Sequence, residues 1–400
     1  MQPSKRRTNV LIIVESVYPS VVGGGAEAQI ETLTRNLPND IRASVVAPLV
    51  PRFPQAIRNC VHGCEVYRIP YPNIRLIGGL VMLLRLVGVI LARRHGIDAI
   101  YCHIIHNMAP VACAIGRMLG KPVIVKPTGK TELDQGILSN KSSPIVAVKR
   151  WLIKRATAIQ AVSKAIEDAL TTKGFDPARI HRIPNAVDMR VFAPAFDRQP
   201  ELKAALGLEA DFVACFVGRL AVEKALDTLI EAWARAIPRE ASAKLVLVGT
   251  GPLEDELKAQ VRTSGLERQV VFAGFVEGKS TIATYWQISD VGLIPSEFEG
   301  LSNALLEAMA SGVPMIGSRV SGNVDLIESR KTGWLFTPRD VDQLSACLSD
   351  AYTMDKDAHR AMGEASIAKA HATVGVDHIW RRLVSLCFGR PGVSEVLCAE

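Results

Sequence analysis

Short apolar segments alternate with longer helical segments along the whole chain, and this alternation limits the folds that it can adopt. Alternating strands and helices are typical of parallel sheets covered by helices. The chain has 400 residues, which is long for a single hydrophobic core, and 48% of them are hydrophobic. We therefore predict an α/β protein with two domains. The strand candidates are residues 10–14, 43–47, 99–102, 123–125, 158–162, 212–217, 244–248, 270–273, 291–294 and 314–317.

Two glutamates, Glu299 and Glu307, lie eight positions apart where an apolar segment runs into a helix. The helical periodicity places Glu299 in the strand-to-helix loop and Glu307 on the second turn, opposite the apolar face. The amides of Gly300, Leu301 and Ser302 lie between them at the positive helix end. Such a site suits an anion with hydroxyl groups on both sides, such as a nucleotide sugar. For an isolated pair of glutamates, a helix cap and a solvated side chain would be the more common explanation.

Two cations follow another predicted strand. Arg219 and Lys224 come after Phe212–Val217, and ligands bind at the carboxyl ends of strands in open α/β sheets. Arg219 offers a planar fork for phosphate oxygens and Lys224 a compact charge, which together would neutralise a departing diphosphate. Alone, they would more often be surface residues near a helix start. Together with the paired glutamates they favour a nucleotide-sugar site.

Taken in order, these segments resemble a known family, the retaining glycosyltransferases of family 4. That family has the GT-B fold, an α/β fold of two facing Rossmann-like domains with parallel sheets and an interdomain cleft. The similarity covers nearly the whole chain, and its order and spacing are more specific than any single motif. The segments that carry it are residues 23–27, 161–163, 183–188 with Phe192, 218–220, 247–252, 272–274, the Glu299/Glu307 pair and Gly333.

The resemblance implies a division of the chain. Residues 1–192 would form an N-terminal Rossmann-like domain that binds the acceptor. Residues 193–375 would form a C-terminal Rossmann-like domain that binds the nucleotide sugar, beginning with a linker at 193–201. Residues 376–400 would form a helix that returns to the first domain, followed by a tail.

The resemblance also implies a role for each candidate residue. Glu299 would contact the donor sugar, and Glu307 the ribose hydroxyls. Arg219 and Lys224 would bind the diphosphate and act with Glu299 in catalysis. The other donor-binding residues would be Gly24, Gly25, Gly300, Leu301 and Ser302.

The chain departs from the family pattern at three positions. Ala186 and Ala225 stand where the family usually has glycine, and we expect little effect from either. Many relatives place a histidine near the donor sugar, whereas Thr128 occupies the nearest matching position here. A hydroxyl cannot carry a proton as an imidazole does near neutral pH, so we expect a different acceptor arrangement. His103, His106 and Thr128 are the candidates on the acceptor side, although a histidine next to a strand is more often structural.

The net charge is +7, and the basic residues gather in the first half of the chain. An apolar stretch there, residues 76–91, raises the question of a membrane span. Arg85 near its centre and a length below roughly 20 residues argue against one. A core helix is the preferred interpretation, and a helix on an anionic membrane surface, with Arg93 and Arg94 at the headgroups, stays open. Aromatic residues make up only 6% of the chain and do not interleave with basic ones, so no nucleic acid partner is expected.

No metal or cofactor is expected. Asp340 and Asp342 have the D-x-D spacing by which some transferases hold a divalent metal, but Asp340 is better explained as a helix cap. The eight cysteines form no C-x-x-C pair, and the apolar run at 10–14 is too short for a signal peptide. We therefore expect reduced cysteines and a cytoplasmic protein, peripheral on the inner face of the membrane if its basic half contacts lipid.

The sequence thus predicts a retaining hexosyltransferase. It would move a hexosyl unit from a nucleoside diphosphate sugar to a hydroxyl of a glycan or lipid-linked acceptor, in cell-surface polysaccharide or glycolipid synthesis. No carboxylate is evidently placed as a covalent nucleophile, which favours attack on the face that the phosphate leaves. Two alternatives stay open: a nucleotide-sugar epimerase of related fold, and an inactive sugar-nucleotide-binding partner of another transferase.

Overall fold

The computed structural model describes residues 7–19, 24–74, 77–129, 132, 136–139 and 143–388. Internal contacts divide the chain into two compact units. Unit 1 comprises Met1–Ala186 and Val376–Glu400, and unit 2 comprises Val187–Gly375. The tail expected at 389–400 lies outside the described residues, as does Gly23 of the glycine-rich turn.

Strands and helices alternate along the chain, as the sequence predicts. The described strands are β1 (Thr8–Val14), β2 (Ile41–Pro48), β3 (Arg58–Val61), β4 (Cys64–Ile69), β5 (Ala99–His103), β6 (Val123–Lys126), β7 (Ala158–Ala161), β8 (Ile180–Arg182), β9 (Phe212–Val217), β10 (Ala243–Val248), β11 (Val270–Gly274), β12 (Val291–Ile294), β13 (Met315–Ser318) and β14 (Gly333–Phe336). The described helices are α1 (Gly25–Arg35), α2 (Ile77–Ala92), α3 (Met108–Met118), α4 (Pro144–Ile153), α5 (Lys164–Thr172), α6 (Gln199–Ala205), α7 (Leu226–Ala236), α8 (Glu254–Thr263), α9 (Lys279–Gln287), α10 (Asn303–Ala310), α11 (Ser321–Leu326), α12 (Val341–Thr353), α13 (Lys356–Thr373) and α14 (Val376–Phe388).

Unit 1 is built on one sheet, whose described strands have the order β3-β4-β2-β1-β5-β6-β7-β8. Neighbouring strands are parallel, except that β3 and β4 form an antiparallel hairpin at one edge. The strand order reverses direction between β1 and β5. In open parallel sheets, ligands bind outside the carboxyl ends of the strands at such a reversal.

Helices cover both faces of this sheet. The chain steps from β1 to β2 through α1, and in the opposite direction from β5 to β6 and β7 through α3 and α4. Right-handed crossovers in opposite directions place their helices on opposite faces. On the first face α14 packs with α1, and the indole N–H of Trp380 donates a hydrogen bond to Leu33 O at 3.0 Å. On the other face α2 packs with α3, and α3 packs with α4.

Unit 2 contains a second parallel sheet, with the described strands in the order β11-β10-β9-β12-β13-β14. Its core is centred on Trp233, which is fully buried and stacks on Phe212 with ring centroids 6.2 Å apart. The Trp233 indole N–H donates to Gln269 Oε1 at 3.0 Å, so its polar atom is satisfied. Strand order reverses between β9 and β12, which are neighbours at the centre of the sheet.

Local signals explain two details of unit 2. Asp340 precedes α12 and its carboxylate accepts a hydrogen bond from the Gln343 N–H at 2.9 Å, so the predicted helix cap is confirmed. The stretch 193–201, expected to be a linker, instead contains a 3-10 turn at Phe196–Arg198 and the first residues of α6. The contact boundary between the units falls earlier, after Ala186.

The apolar stretch of the first half forms α2. One face of α2 is buried through Gly78, Met82, Leu86 and Ile90, which recur every fourth residue. The opposite face exposes Leu80 and Leu84, at 60% and 62%. Across the described ranges, no helix has both the length and the hydrophobicity needed to cross a bilayer.

Candidate functional site

The candidate catalytic residues of unit 2 lie at the carboxyl ends of β9 and β12, where the strand order reverses. Lys224 ends the 3-10 turn Val222–Lys224 after β9, and Glu299 lies in the loop between β12 and α10. Lys224 Nζ and Glu299 Oε1 form an ion pair, and the two side chains are 19% and 15% exposed. Two residues that the sequence assigned to one site are thus in direct contact.

Further interactions fix the two loops that carry this pair. The Glu297 N–H donates a hydrogen bond to Glu223 O at 2.9 Å, which joins the loop after β12 to the 3-10 turn after β9. Arg339, which follows β14, pairs with Glu297 and, at 2.5 Å, with Asp227 on the first turn of α7. Arg339 therefore bridges the element that follows Lys224 and the loop that contains Glu299. The sequence analysis did not identify this arginine.

Arg219 lies on the same loop as Lys224 but has a different partner. Its guanidinium is 2.9 Å from Glu223 Oε1, and both side chains are exposed. The hydrogen bond from Arg219 is the main cause that lowers the pKa of Glu223. Exposed pairs of this kind contribute little to stability. Arg219 can therefore exchange its carboxylate partner for a phosphate at small cost.

The glycines at 249 and 251 support the Arg219 loop through close backbone packing. The Leu220 N–H donates to Thr250 O at 3.0 Å. A Cβ added at Gly251 would collide with the backbone of Leu220, and one at Gly249 (φ 128°) with Gly218. The approach of two backbones therefore explains both glycines.

Ala225 directly follows Lys224 and has a left-handed backbone, with φ 50° and ψ 42°. Alanine pays about 1–2 kcal/mol in this conformation, which glycine adopts freely. The substitution of alanine for the usual glycine thus strains the turn that holds Lys224. Ala186, the other such position, is buried and has no left-handed backbone. Its N–H and C=O bond the Gln29 side chain at 2.7 and 2.9 Å.

Glu307 lies on α10 and is half-buried, with the buried side chains of Leu306 and Ala308 on either side. Burial raises the pKa of Glu307 to about 7, although the positive charge of Lys279 and the Trp286 indole act in the opposite direction. A fully solvated glutamate would keep an ordinary pKa near 4.3. The solvated interpretation of this residue therefore does not hold.

The residues predicted to offer amides precede α10. Ser302 is extended, with φ −71° and ψ 128°, and occupies the N-cap position. Gly300 O accepts a hydrogen bond from Ser321 Oγ at 3.3 Å, which ties the loop to α11. The backbone from Gly300 to Ser302 thus leads into the positive end of a helix, as the sequence predicts.

In unit 1 the glycine turn ends at the start of α1. Gly24 is the N-cap residue, extended with φ −140°, and its carbonyl accepts from the Ala28 N–H at 3.0 Å. A Cβ on Gly24 would collide with the carboxylate of Glu27, which accepts a hydrogen bond from Ser16 Oγ. A side chain at 24 would therefore displace the flexible Glu27 carboxylate from Ser16. Gly25 is the first residue of the helix.

His103 ends β5 and is 1% exposed, with its ring edge-on to Tyr101 at a centroid distance of 4.4 Å. Neither ring nitrogen has a hydrogen-bond partner in the part of the chain that the structure describes. Burial, and then the charge of Lys126, hold the pKa of His103 well below its ordinary value. Burial also lowers the pKa of Lys126, at the end of β6, to about 7, and the charge of Glu132 opposes that change. The carboxyl ends of β5 and β6 thus carry two buried bases.

Thr128 follows β6 and is bound to Glu132, a residue that the sequence analysis missed. The Thr128 N–H donates to Glu132 Oε2 at 3.1 Å, and the Thr128 hydroxyl donates to Glu132 Oε1. Glu132 also accepts from the Ile105 N–H at 3.3 Å. His106, in the loop after β5, is exposed. The threonine hydroxyl is therefore held in place, whereas the His106 ring is open to solvent.

Glu15 is a second acid that the sequence analysis did not single out. It directly follows β1 and accepts hydrogen bonds from the Met108 N–H at 2.6 Å and from Asn107 Nδ2 at 3.0 Å. Burial raises its pKa against the effect of these bonds. The sequence did contain a signal for Glu15, because an acidic residue directly after a buried strand lies at the ligand-binding edge of a parallel sheet.

Family models match both units of the chain. Residues 23–191 match the model described as Glycosyltransferase Family 4, and residues 211–354 match the model described as Glycosyl transferases group 1. The two models together place the chain among the glycosyltransferase families. The chain belongs to family 4 (group 1) of the retaining glycosyltransferases with the GT-B fold, which confirms the family and fold predicted from the sequence motifs.

Individual relatives differ in their donors. The chain is 29% identical to a GDP-mannose-dependent alpha-mannosyltransferase of Mycolicibacterium smegmatis, over 86% of this chain and 88% of the relative. It is also 29% identical to the UDP-Gal:alpha-D-GlcNAc-diphosphoundecaprenol alpha-1,3-galactosyltransferase of Escherichia coli, over 60% of this chain and 63% of that enzyme. Five curated relatives, including the Escherichia coli galactosyltransferase, are matched over 52–66% of their own length.

Solved structures share the architecture. The Anabaena protein HepE, solved in complex with UDP, has a TM-score of 0.75 to this chain at 22% identity. The match covers 94% of this chain and 99% of HepE. HepE has also been solved in complex with UDP-glucose. At this identity the similarity demonstrates the common fold.

Proposed function

We propose that the chain transfers a hexosyl unit from a nucleoside diphosphate sugar to a hydroxyl of a glycan or lipid-linked acceptor, with retention of the anomeric configuration. The observation that carries this proposal is the Lys224–Glu299 pair at the switch point of unit 2. It combines a cation suited to phosphate with a carboxylate suited to sugar hydroxyls. Family membership supports the same reaction.

The chemistry depends on stabilising the departing diphosphate. As the bond between the anomeric carbon and the phosphate oxygen lengthens, negative charge builds on the phosphate. Lys224 and Arg219 neutralise this charge, together with the helix amides near Ser302. The acceptor hydroxyl attacks from the face that the phosphate leaves, and its proton passes to the departing phosphate oxygen. The new glycosidic bond then keeps the original configuration.

The carboxylates orient the donor. Glu299 accepts hydrogen bonds from the hexose hydroxyls and stabilises positive charge at the anomeric carbon. In the free enzyme Glu299 pairs with Lys224, so neither charge is left without a partner at this partly buried site. Glu307, when ionised, accepts hydrogen bonds from the ribose hydroxyls. Gly24 and Gly25, at the start of α1, are the donor-binding candidates of unit 1.

On the acceptor side the proposal assigns different tasks to the three candidates of unit 1. His106 is exposed and Thr128 is half-buried, so these two contact the acceptor. His103 is buried, so its task is to support the residues around the acceptor without contacting the acceptor itself. Glu132 fixes Thr128, so the position that is a histidine in many relatives here holds an oriented hydroxyl.

The proposal also includes a contact between unit 1 and a membrane surface. α2 and α4 lie in the helix layer on one face of unit 1, and both expose large apolar side chains, among them Leu84 (62%) and Trp151 (54%). Arg94 near the end of α2 is exposed beside them. Apolar side chains next to cations suit the interface of an anionic membrane. This contact supports a peripheral location on the cytoplasmic face, where lipid-linked acceptors of polysaccharide or glycolipid synthesis are available.

A thermal-shift series tests donor binding, with UDP-glucose, GDP-mannose and ADP-glucose as probes. A donor at 100 times its Kd stabilises the folded protein by about 2.7 kcal/mol. One of the three should shift the melting temperature more than its sugar-free nucleotide does. No shift with any of these donors would count against the nucleotide-sugar site.

Catalysis is tested by Glu299→Gln and Lys224→Ala. Each should lower turnover by about 100-fold or more, because each removes a charge that acts in the transition state. Lys369→Ala is the matched control, since Lys369 on α13 forms an ion pair at 2.6 Å with Glu328, which precedes the amino end of β14 and therefore lies towards the opposite edge of the sheet. Near-normal turnover in either site variant would contradict the assigned role.

Product analysis separates the two alternative functions. Transfer or donor hydrolysis by the purified chain alone contradicts an inactive partner subunit. Conversion of the donor sugar to its epimer without an acceptor would identify an epimerase. The anomeric configuration of the product, read by NMR, tests retention.

A further inference from the structure

Unit 1 contains a cavity at the amino ends of β6, β7 and β8, the edge of the sheet opposite to His103 and Thr128. Its volume is about 530 Å³, within the range that small-molecule sites occupy. Four cationic side chains line it: Arg117, Lys121, Arg155 and Arg179. They come from four places, namely the end of α3, the approach to β6, the approach to β7 and the turn before β8.

The cavity is strongly positive. No acidic residue is found among its lining residues in the described part of unit 1. Among the described residues, the carboxylate that pairs with a lining cation is that of Asp176, whose Oδ2 is 3.5 Å from Arg179 Nε and which is 54% exposed. Cations gathered in a concave site raise the local concentration of anions. Arginine forks in particular match the geometry of phosphate oxygens.

Two of the arginines are fixed in position. Arg179 Nη1 donates to Ala156 O at 2.9 Å, and Arg155 Nη1 donates to Trp151 O at 3.0 Å. The Arg155 guanidinium also lies over the Trp151 ring, 3.2 Å from its centroid. Such pre-organisation reduces the entropy that a ligand would otherwise cost the side chains. Arg117 and Lys121 add charge at the rim.

Exposed apolar side chains adjoin these cations. Met118 follows Arg117 and is 79% exposed, and Trp151, in contact with Arg155, is 54% exposed. Ile145 and Val148, 66% and 58% exposed, lie six and three residues before Trp151 on α4 and therefore share its helix face. A ligand with only a phosphate would leave these side chains in water. A lipid would cover them with its acyl chains while the phosphate enters the cavity.

We propose that this cavity binds the headgroup phosphate of an anionic phospholipid. The site lies at the opposite sheet edge from the residues proposed for glycosyl transfer and does not take part in that reaction. This inference rests on the proposed membrane contact. It replaces a general electrostatic attraction to the membrane with a defined phosphate site.

Vesicle co-sedimentation tests the proposal, with phosphatidylcholine vesicles that contain or lack phosphatidylglycerol. The test variant is Arg117→Gln with Lys121→Gln, which leaves the two fixed arginines in place. The control is Arg42→Gln with Arg52→Gln, which removes the same two charges from unit 1. Arg42 lines a second cavity of about 660 Å³, in which Arg93 is neutralised by Glu65 at 2.6 Å.

The wild-type chain should bind the phosphatidylglycerol vesicles more tightly than pure phosphatidylcholine. The test variant should lose about tenfold or more in vesicle affinity, and the control less than about threefold. Inorganic phosphate and glycerol phosphate, at the concentration of the lipid phosphate and at matched ionic strength, should not displace the wild type, because only a lipid also covers the apolar side chains. Equal losses in both variants, displacement by free phosphate at that concentration, or no binding to the anionic vesicles would each overturn the proposal.

A measurement of donor binding distinguishes a failure of the phosphate site from a failure of the proposed transfer reaction. The Arg117→Gln/Lys121→Gln variant should keep the melting temperature of the wild type and its thermal shift with the donor sugar nucleotide. If the wild type binds anionic vesicles but no sugar nucleotide, the transfer function fails and the phosphate site stands. If it binds a sugar nucleotide but no vesicles, the phosphate site fails alone.

Discussion

At Glu307, burial favours the protonated carboxyl group, whereas the proposed contact with ribose uses the ionised one. Its carboxyl is half-buried on α10, and burial raises its pKa to about 7. The folded chain therefore holds a proton at Glu307 that the unfolded chain releases near pH 4.5. Between about pH 4.5 and pH 7 this residue makes unfolding easier as the pH rises, because the ionised form is disfavoured by burial. The proposed donor site uses that ionised form to accept hydrogen bonds from ribose.

Glu307→Gln should separate the two effects. The glutamine carries no charge, so at pH 8 the variant should be more stable than the wild type by up to about 3 kcal/mol, an upper value because the carboxyl is partly exposed. At pH 4.5 the difference should vanish. Urea unfolding at the two pH values measures it, with Glu256→Gln as an exposed control. A variant that is less stable than the wild type at pH 8 would show that burial does not disfavour the charge.

The same variant should bind the donor more weakly, by about tenfold, because an amide offers one acceptor oxygen and its N–H₂ group faces a hydroxyl. Gain of stability with loss of affinity is the expected signature of a binding residue whose native environment is unfavourable. Thermal shift with the sugar nucleotide provides the affinity. Unchanged affinity at pH 8 would remove Glu307 from the donor site.

Among the elements, the loop between β12 and α10 depends on Arg339 for its position. Arg339 joins Glu297 in that loop to Asp227 on α7. Arg339→Gln should free the loop and weaken the Glu297 N–H bond to Glu223 O. We expect faster amide exchange at Glu297 and a smaller donor-induced thermal shift. The loss of global stability should be at most about 1 kcal/mol, because the side chain is 39% exposed.

Arg330→Gln is a matched control for this prediction. Arg330 also has a left-handed backbone, with φ 60° against 65° for Arg339, and it pairs with Asp350 at 2.8 Å. Its partner does not belong to the site loops, so exchange at Glu297 should be unchanged. If both arginine variants alter the loop equally, Arg339 has no specific positioning role.

Sequence patterns predicted the central strands of both sheets, whereas β3, β4, β8 and β14, which lie at or next to a sheet edge, were not among the strand candidates. All four residues of β12 are buried, so a continuous apolar run and the turn after it were visible without a structure. The edge hairpin was missed because three of the four β3 residues are exposed and no apolar run marks them. Its turn, His62 and Gly63, has positive φ at both residues, 51° and 77°. That signal is short and weak in a single sequence.

The candidate site was predictable to a similar degree. Lys224 and Glu299 each follow a predicted strand, and their contact follows once those strands are neighbours. The bridge through Arg339 depends instead on how the residues after β14 turn back towards α7, which periodicity does not encode. Glu132 was equally hidden, because its role depends on the conformation of the Thr128 backbone.

At the scale of the whole molecule, two hydrophobic core clusters of the described residues, one in each unit, have no residue in common. The core of unit 2 is continuous in sequence. That of unit 1 includes four residues of α14, namely Val376, Ile379, Trp380 and Leu383, which lie almost 200 positions after the rest. Folding of unit 1 therefore depends on a segment made after unit 2 is complete.

Trp380→Ala tests this dependence. Trp380 is 1% exposed, and its indole N–H donates to Leu33 O, so its removal should leave a cavity and take one hydrogen bond from that carbonyl, which also accepts from the Asn36 N–H at 3.3 Å. We expect a loss of about 3–5 kcal/mol in the stability of unit 1. Hydrogen exchange should accelerate in β1 and β2 and remain unchanged in β9 and β10. Trp233→Ala, in the core of unit 2, should give the opposite pattern, and acceleration of both sheets by either substitution would mean that the two units unfold together.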